Sequence, residues 1–152
     1  MQYWLMKSEP DEVSIGDLER LGSVPWFGVR NYQARNFLRD AMNVGDLAFF
    51  YHSGCAEPGI AGICEVSSEP YPDATQFDPA SPYHDPKSPP DKPRWLLRDV
   101  RFVRRTPYQT LTELRAHAEL ANMRLLARGN RLSIMPVNEE EWAFITKQLM
   151  GL

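Results

Sequence analysis

Apolar residues occur along the chain in short runs that are separated by glycine, proline and polar turn residues. The first run predicts a strand over 2–7, and two further runs predict buried strands at Leu47–His52 and Ile60–Val66. A last strand is predicted at Leu132–Val137. The pattern therefore indicates a sheet built from strands that lie far apart in the sequence.

Helical spacing marks short segments around these strands. Ser14 has the position of a helix N-cap, Asp17 is the capping-box acid three residues later, and Gly22 closes the helix. The apolar face of this helix consists of Ile15, Leu18 and Leu21. A second helix is predicted over 31–41, and a terminal helix begins after a cap at Asn138.

Apolar and basic residues alternate between Trp95 and Val103, which predicts a long strand with one buried face. The alternation breaks at Asp99–Val100, where a bulge is expected. The outer face is rich in arginine, at Arg94, Arg98, Arg101 and Arg104. A solvated strand face and a phosphate-binding face both explain this pattern.

The segment Ser67–Pro93 contains eight of the 13 prolines. It is too long for a simple connector, so it is either disordered or wrapped over the body of the domain. We favour wrapping, with the aromatic residues Tyr71, Phe77 and Tyr83 as anchors. The predicted class is α+β: one domain over 1–152, with a small mixed β-barrel of five or six strands and flanking helices.

Composition narrows the functional classes. The net charge is −3, which argues against indiscriminate nucleic-acid binding, yet the stretch from Lys87 to Arg131 holds eleven basic and four acidic residues. A basic face on an acidic protein is compatible with binding one nucleic-acid strand. No apolar run reaches the ~18 residues of a membrane span. Two cysteines are too few for a disulfide scaffold, so a cytoplasmic protein is expected.

The usual motifs of catalysis and cofactor binding are not found. The three histidines are scattered, the cysteines form no paired motif, and no glycine-rich phosphate loop is present. His52 and Ser53 are neighbours on a strand and so point to opposite faces. We therefore expect no metal, no cofactor and no catalytic residues.

The aromatic residues carry a more specific signal. Val24–Gly28 is predicted to be a loop, and it holds Trp26 just before Arg30 and Asn31. A loop tryptophan beside amide and guanidinium groups has the ingredients of a base-stacking platform. A tryptophan lid over the end of the barrel is the alternative. Trp95 is a candidate for a second pocket wall or for the core.

Several segments together resemble one family over nearly the whole chain. The run Trp26–Asn36 is the most specific, and Trp4–Pro10 precedes it. Further similarity lies in 45–53, 59–63, 71–73, 85–88, 93–95 and 131–137. The sequence resembles the EVE domain, a member of the PUA-like group that is related to the YTH readers of methylated adenine. One departure is His84, which stands where a tyrosine is more usual.

The resemblance implies a β-barrel with a pocket at one end that reads a modified base, chiefly a modified cytosine in DNA. Because a stacked base is inaccessible, it would be flipped out of the strand. The resemblance implies base contacts from Lys7, Ser8, Trp26, Asn31, His52, Ser53 and Trp95. Contacts to the nucleic-acid backbone are expected from Arg30, Arg35, Arg94, Arg98 and Arg101. The alternatives are a reader of modified RNA, a plain small-molecule pocket and, less favoured, an enzyme that acts on a modified base.

Overall fold

The computed structural model describes residues 1–152 and contains a six-stranded mixed sheet. In chain order its strands are β1 (Tyr3–Ser8), β2 (Ser23–Pro25), β3 (Leu47–His52), β4 (Gly59–Val66), β7 (Asp99–Thr110) and β8 (Ile134–Val137). Two further strands, β5 (Tyr71–Pro72) and β6 (Leu96–Leu97), form a separate small sheet. The order in the six-stranded sheet is β2-β7-β4-β3-β1-β8. Only the β1–β3 pair is parallel, and β2 and β8 are the two edge strands. The α+β PUA-like class predicted from the sequence is confirmed.

The strands predicted from apolar runs are present, with small shifts at their ends. The loop predicted at Val24–Gly28 is partly wrong, because Ser23–Pro25 pairs with β7 as an edge strand. A three-residue strand that contains a proline has almost no periodicity to reveal it, and proline is tolerated at an edge where its missing N–H is not needed. This strand leads directly into Trp26.

Each face of the sheet packs against its own hydrophobic cluster. Along β1, Trp4 and Met6 belong to one cluster while Leu5 belongs to the other, as the two-residue repeat of a strand requires. In the second cluster the terminal helix supplies Trp142, which stacks on Phe49 with ring centres 4.0 Å apart. Both faces of the sheet are thus buried, so a ligand can reach the sheet only where its strands end.

The helices are short. They are α1 (Ile15–Leu21), α2 (Tyr32–Asn36), α3 (Leu111–Arg115) and α4 (Glu139–Ala143), and π-helical turns at Phe37–Ala41 and Phe144–Leu149 extend α2 and α4. The predicted Ser14–Asp17 capping box and the Asn138 cap are confirmed. Leu21, predicted on the buried face of α1, is instead 55% exposed because it lies in the last turn beside Gly22. None of the helices has the length and apolar character of a membrane span.

The proline-rich segment lies over the domain, and its anchors agree with the predicted ones only in part: Tyr83 packs against Phe27 and donates to Glu12. It forms the short strand β5 (Tyr71–Pro72), which pairs with β6 (Leu96–Leu97), and a 3₁₀ turn at Ala74–Phe77. Tyr71 and Phe77 are 40% and 39% exposed, and the Tyr71 hydroxyl donates to Asp99 at 2.5 Å. Polar residues hold the rest of the segment: the buried Gln76 side chain accepts hydrogen bonds from the Ser88 hydroxyl and the Trp95 backbone N–H and donates to two carbonyl oxygens.

The long strand predicted from Trp95 to Val103 is interrupted at Arg98. This residue is only 3% exposed, and its guanidinium donates to the carbonyl oxygens of Leu38, Met42 and Ser68 at 2.6, 2.8 and 3.1 Å. Arg98 is therefore an internal tie between segments. The phosphate contact predicted for it is wrong, because all three of its nitrogens are already satisfied inside the protein. The bulge predicted at Asp99–Val100 is not found there. The pairing of β4 with β7 shifts register at two other places, between Ile60 and Gly62 and between Ile63 and Cys64 of β4.

Candidate functional site

A cavity of about 230 Å³ opens at the carboxyl end of β1, lined from both edges of the sheet. Its walls come from residues 7–9, 12–13, 24–29, 53, 83 and 131–133. Drug-sized ligands usually occupy ~300–1,000 Å³, so this cavity suits a smaller group of roughly the size of one ring system. It lies where β2 leads into Trp26 and where the chain enters β8.

Backbone and side-chain hydrogen bonds fix the floor of the cavity. The Lys7 N–H donates to the Ser133 carbonyl at 2.9 Å, and the Ser53 N–H donates to the Ser8 carbonyl at 3.0 Å. The Ser8 hydroxyl donates to the Val13 carbonyl at 2.7 Å. Three distant segments are thereby joined at the end of β1, and the serine hydroxyl is held by a backbone acceptor rather than by a catalytic base.

Trp26 lines the cavity but is not open to solvent. Its residue exposure is 6%, and its ring packs edge-on against Phe50 with ring centres 5.5 Å apart. The Trp26 N–H donates to the Arg98 carbonyl at 2.9 Å, which fixes the backbone. The expectation of an exposed loop tryptophan is wrong in this respect: the indole is a wall shared between the core and the cavity.

Phe27 and Tyr83 form a second aromatic wall, and sequence reasoning did not assign either to the site. Their rings meet edge-to-face at 5.8 Å. Gly28, at φ +85°, allows this contact, because a Cβ there would lie 2.8 Å from the Tyr83 Cζ atom. The Tyr83 hydroxyl donates to the Glu12 carboxylate at 2.6 Å; burial and this carboxylate raise the pKa of Tyr83 to about 12. The tyrosine is therefore a neutral, fixed wall.

A buried carboxylate supports this wall from behind. Asp73 accepts hydrogen bonds from the Gly28 N–H at 2.8 Å and from Arg30 at 3.1 Å. Arg30 also donates twice to the Tyr83 carbonyl, at 3.0 and 2.8 Å. Burial would raise the pKa of Asp73, but the hydrogen bonds from Gly28, Thr75 and Arg30 outweigh it and hold the pKa below its usual range.

Of the residues predicted to contact the base, four line the cavity: Lys7, Ser8, Trp26 and Ser53. Lys7 is partly buried, and this burial lowers the pKa of its ammonium group. The ammonium lies 5.9 Å from the centre of the Tyr51 ring. The structure brings these four together as expected, although their contacts with a base remain a prediction.

The other three predicted base contacts lie outside the cavity, each occupied elsewhere. The Asn31 side chain caps α2 by accepting from the Ala34 N–H at 3.0 Å. The His52 Nε2 atom accepts from the Ile15 N–H at 3.1 Å. Trp95 is buried, and its indole N–H donates to Asp85 at 2.8 Å. These residues support the surrounding structure and do not form the walls that were predicted.

None of the arginines predicted to hold the nucleic-acid backbone lines the cavity. Arg30 and Arg98 are tied to internal acceptors, as described above. Arg35 donates to the Arg94 carbonyl at 3.0 Å, and the Arg94 guanidinium lies 3.8 Å from Asp85. Arg101 forms an ion pair with Glu65. The arginine that does line the cavity is Arg131, which was not among the predicted backbone contacts.

The charges around the mouth are divided. Glu9 and Glu12 line the side formed by the segment after β1, whereas Arg131 lines the side that enters β8. No group of three or more histidine, cysteine or acidic residues comes together as a metal site in the structure. The arrangement offers aromatic faces, carboxylate acceptors and a cationic edge, which suits a planar group that carries N–H donors and adjoins an anion.

Comparison with known proteins identifies similar sequences and structures. The EVE domain model matches residues 2–148. Human thymocyte nuclear protein 1 is 46% identical over 163 aligned positions, covering 94% of this chain and 72% of that protein. A crystal structure from Pseudomonas putida has 55% identity and a TM-score of 0.91, with 95% of this chain and 97% of that chain covered.

A further similar structure contains a ligand. Human thymocyte nuclear protein 1, solved in complex with DNA containing 5-methylcytosine, has 45% identity and a TM-score of 0.90, with 97% of both chains covered.

Proposed function

The chain belongs to the EVE domain family, and on this basis we propose that its cavity binds a modified cytosine that has been rotated out of DNA. The human relative solved with DNA containing 5-methylcytosine supports this assignment. The observation that carries it is the small cavity at the end of β1, with Trp26, Phe27 and Tyr83 among its lining residues.

The dimensions and aromatic walls favour a single base. Extrusion of a base from the stack costs a few kcal/mol, and stacking on an aromatic side chain returns about 1–3 kcal/mol per base. Trp26 packs against Phe50 and Tyr83 donates to Glu12, so both rings are held in place before any ligand binds. Such preorganisation reduces the entropy cost of binding.

The acidic side of the cavity favours cytosine over thymine. Cytosine presents an exocyclic amine where thymine presents a carbonyl, and a carboxylate accepts from the amine but repels the carbonyl. Glu9 lines the cavity and is exposed, so it is available for this contact, whereas Glu12 is already bonded to Tyr83.

Shape is the main source of selectivity for the modification itself. Burial of one methyl group contributes only about 0.8 kcal/mol, or roughly fourfold in affinity. Apolar wall residues such as Val24, Val29 and Leu132 provide a surface for that methyl group. A larger preference requires that the unmodified base leave a void, which adds a cavity penalty.

The test is a comparison of duplexes that differ in one base. Dissociation constants are measured by fluorescence anisotropy for DNA with one 5-methylcytosine, the unmodified DNA, and RNA of the same sequence with 5-methylcytosine. We expect the methylated DNA to bind several-fold more tightly than either. Equal affinity for the two DNAs would contradict the proposal, and a preference for the RNA would replace it with the RNA-reader alternative.

A cavity-filling variant locates the binding. Ser53→Phe introduces a ring into the cavity, and Ser67→Phe makes the same change at an exposed position outside it. We expect the first variant to lose the methylation preference and the second to keep it. A Ser53→Phe protein that is folded and still prefers methylated DNA would place binding outside the cavity.

A further inference from the structure

We propose that the DNA phosphates beside the bound base are held by Arg128 and Arg131, on the loop that precedes β8. This inference rests on the proposed function and deepens it by naming the charged contacts of the same site. It also moves the expected phosphate face from β7 to the loop beside the edge strand β8.

Ion pairing within the protein removes most other arginines as candidates. Seven arginines lie within 4.0 Å of a carboxylate: Arg20, Arg30, Arg39, Arg94, Arg98, Arg101 and Arg105. Six arginines form no such ion pair, and four of these six lie between residues 115 and 131. The one acidic residue in that stretch is Glu119. The unpaired positive charge is therefore concentrated in this stretch.

Position relative to the cavity selects two of these four. Arg131 is exposed and lines the cavity, and Arg128 is exposed three residues earlier on the same loop. The Arg124 guanidinium is instead packed over the Phe37 ring at 5.7 Å, and Arg115 lies on α3, outside this loop. Because Glu9 and Glu12 line the other side of the mouth, phosphates are repelled there and attracted to the Arg131 side.

The loop is held in shape by its own hydrogen bonds. The Asn130 side chain donates to the Arg124 carbonyl at 2.8 Å and accepts from the Leu132 N–H at 3.1 Å. Gly129 takes the left-handed turn between the two arginines, at φ +76°. The backbone that carries Arg128 and Arg131 is thus ordered without DNA, which lowers the entropy cost of a phosphate contact.

The experiment measures how salt weakens binding of the methylated duplex. Each phosphate contact that is lost reduces the slope of log K against log salt concentration by about one unit. We expect Arg128→Gln/Arg131→Gln to reduce the slope by about two units. Arg104→Gln, an exposed arginine on β7 that forms no carboxylate ion pair, is the matched control and should leave the slope unchanged.

The outcomes separate this inference from the proposed function. If the wild-type protein binds methylated DNA selectively but the double variant keeps the full slope, the loop assignment is overturned and the proposed function stands. A loss of slope in Arg104→Gln instead would return the phosphate face to β7. If the wild type shows no methylation preference while the double variant still loses slope, only the base assignment fails. Thermal unfolding midpoints of both variants establish that they are folded.

Discussion

Trp26 belongs at once to the hydrophobic core and to the cavity wall. Its edge-on contact with Phe50 and its low exposure mean that removing the ring would also remove core packing. A buried tryptophan replaced by alanine costs about 3–5 kcal/mol of stability. A binding loss in such a variant would therefore mix unfolding with lost stacking, and a gentler substitution is needed.

We expect Trp26→Phe to keep the fold but to weaken binding of methylated DNA about fivefold, since the smaller ring stacks over less area and forfeits about 1 kcal/mol. The control is Trp142→Phe, which changes an equally buried indole on the other face of the sheet. The control should lose stability without losing affinity. Affinity and the unfolding midpoint are measured on both proteins; equal affinities would remove Trp26 from the binding wall.

Gly28 is the position where the backbone and the aromatic wall meet. Gly28→Ala would introduce a Cβ atom 2.8 Å from Tyr83 at a positive φ, so we expect the tyrosine to shift and binding to weaken about tenfold or more. Gly45→Ala is matched in backbone strain, at φ +97°, but its Cβ would meet nothing within 4 Å. Backbone strain should cost about 1 kcal/mol in both variants, and the contact with Tyr83 should add to the loss in Gly28→Ala. Unimpaired binding by Gly28→Ala would show that the Tyr83 wall is dispensable.

His52 gives the fold a pH dependence. Burial, with a smaller contribution from Arg105, lowers the pKa of His52, and its Nε2 atom must be unprotonated to accept the Ile15 N–H. The unfolded chain binds this proton with a pKa of about 6.5, above the folded value. Stability from this group is therefore complete above that pH and declines as the pH falls towards the folded pKa.

Urea unfolding between about pH 7.5 and 5.5 measures this effect, a window that brackets the ordinary histidine pKa. We expect His52→Gln, whose amide oxygen can still accept the Ile15 N–H, to lose most of the decline seen in the wild type. His117→Gln is the control and should retain it. A wild-type stability that is flat over this range would contradict the role assigned to His52.

At the scale of elements, the wrapped proline-rich segment connects two parts of the site. Asp73, on this segment, accepts a hydrogen bond from the Gly28 N–H and forms an ion pair with Arg30. Arg30 in turn donates a hydrogen bond to the Tyr83 carbonyl. The length and proline content of the segment left disorder and wrapping both open, and the aromatic residues were the reason to favour wrapping. Its polar anchors could not be predicted, because buried polar residues such as Asp73 and Gln76 have no sequence signature apart from the contacts that satisfy them.

Asp73→Asn should destabilise the domain strongly, by about 3–5 kcal/mol, because it leaves Arg30 without its buried counter-charge. It should also weaken binding where the protein is still folded, since Gly28 and Tyr83 lose their common support. The control is Asp78→Asn, an exposed cap in the same segment. Urea unfolding and anisotropy at low temperature measure both effects, and a near-wild-type Asp73→Asn protein would refute the supporting role.

Local sequence patterns predicted the helix caps but not the features that depend on tertiary contacts. Capping signals at Ser14 and Asn138 are local, and both caps were predicted correctly. The same local reasoning placed Arg98 outside, because strand alternation says nothing about a guanidinium that reaches across to carbonyl oxygens of another segment. The edge strand Ser23–Pro25 depends on its pairing with β7, which is a tertiary contact.

At the scale of the whole molecule, the cavity is assembled from segments more than one hundred residues apart. Lys7, Ser8, Trp26 and Ser53 line the cavity and lie in segments that resemble the family, so the sequence could identify them. The sequence did not show which arginines remain unpaired at the surface of the folded protein. The ion pairs of Arg101 with Glu65 and of Arg105 with Glu19 neutralise the face that looked most basic, and they form only in the folded protein.

The most direct test of the central claim is a crystal structure of the protein with a duplex that contains one 5-methylcytosine. The account predicts that the methylated base lies in the cavity at the end of β1, between the Trp26 wall and Tyr83, with its exocyclic amine towards Glu9. A complex in which that base stays stacked in the duplex while the cavity stands empty would contradict it.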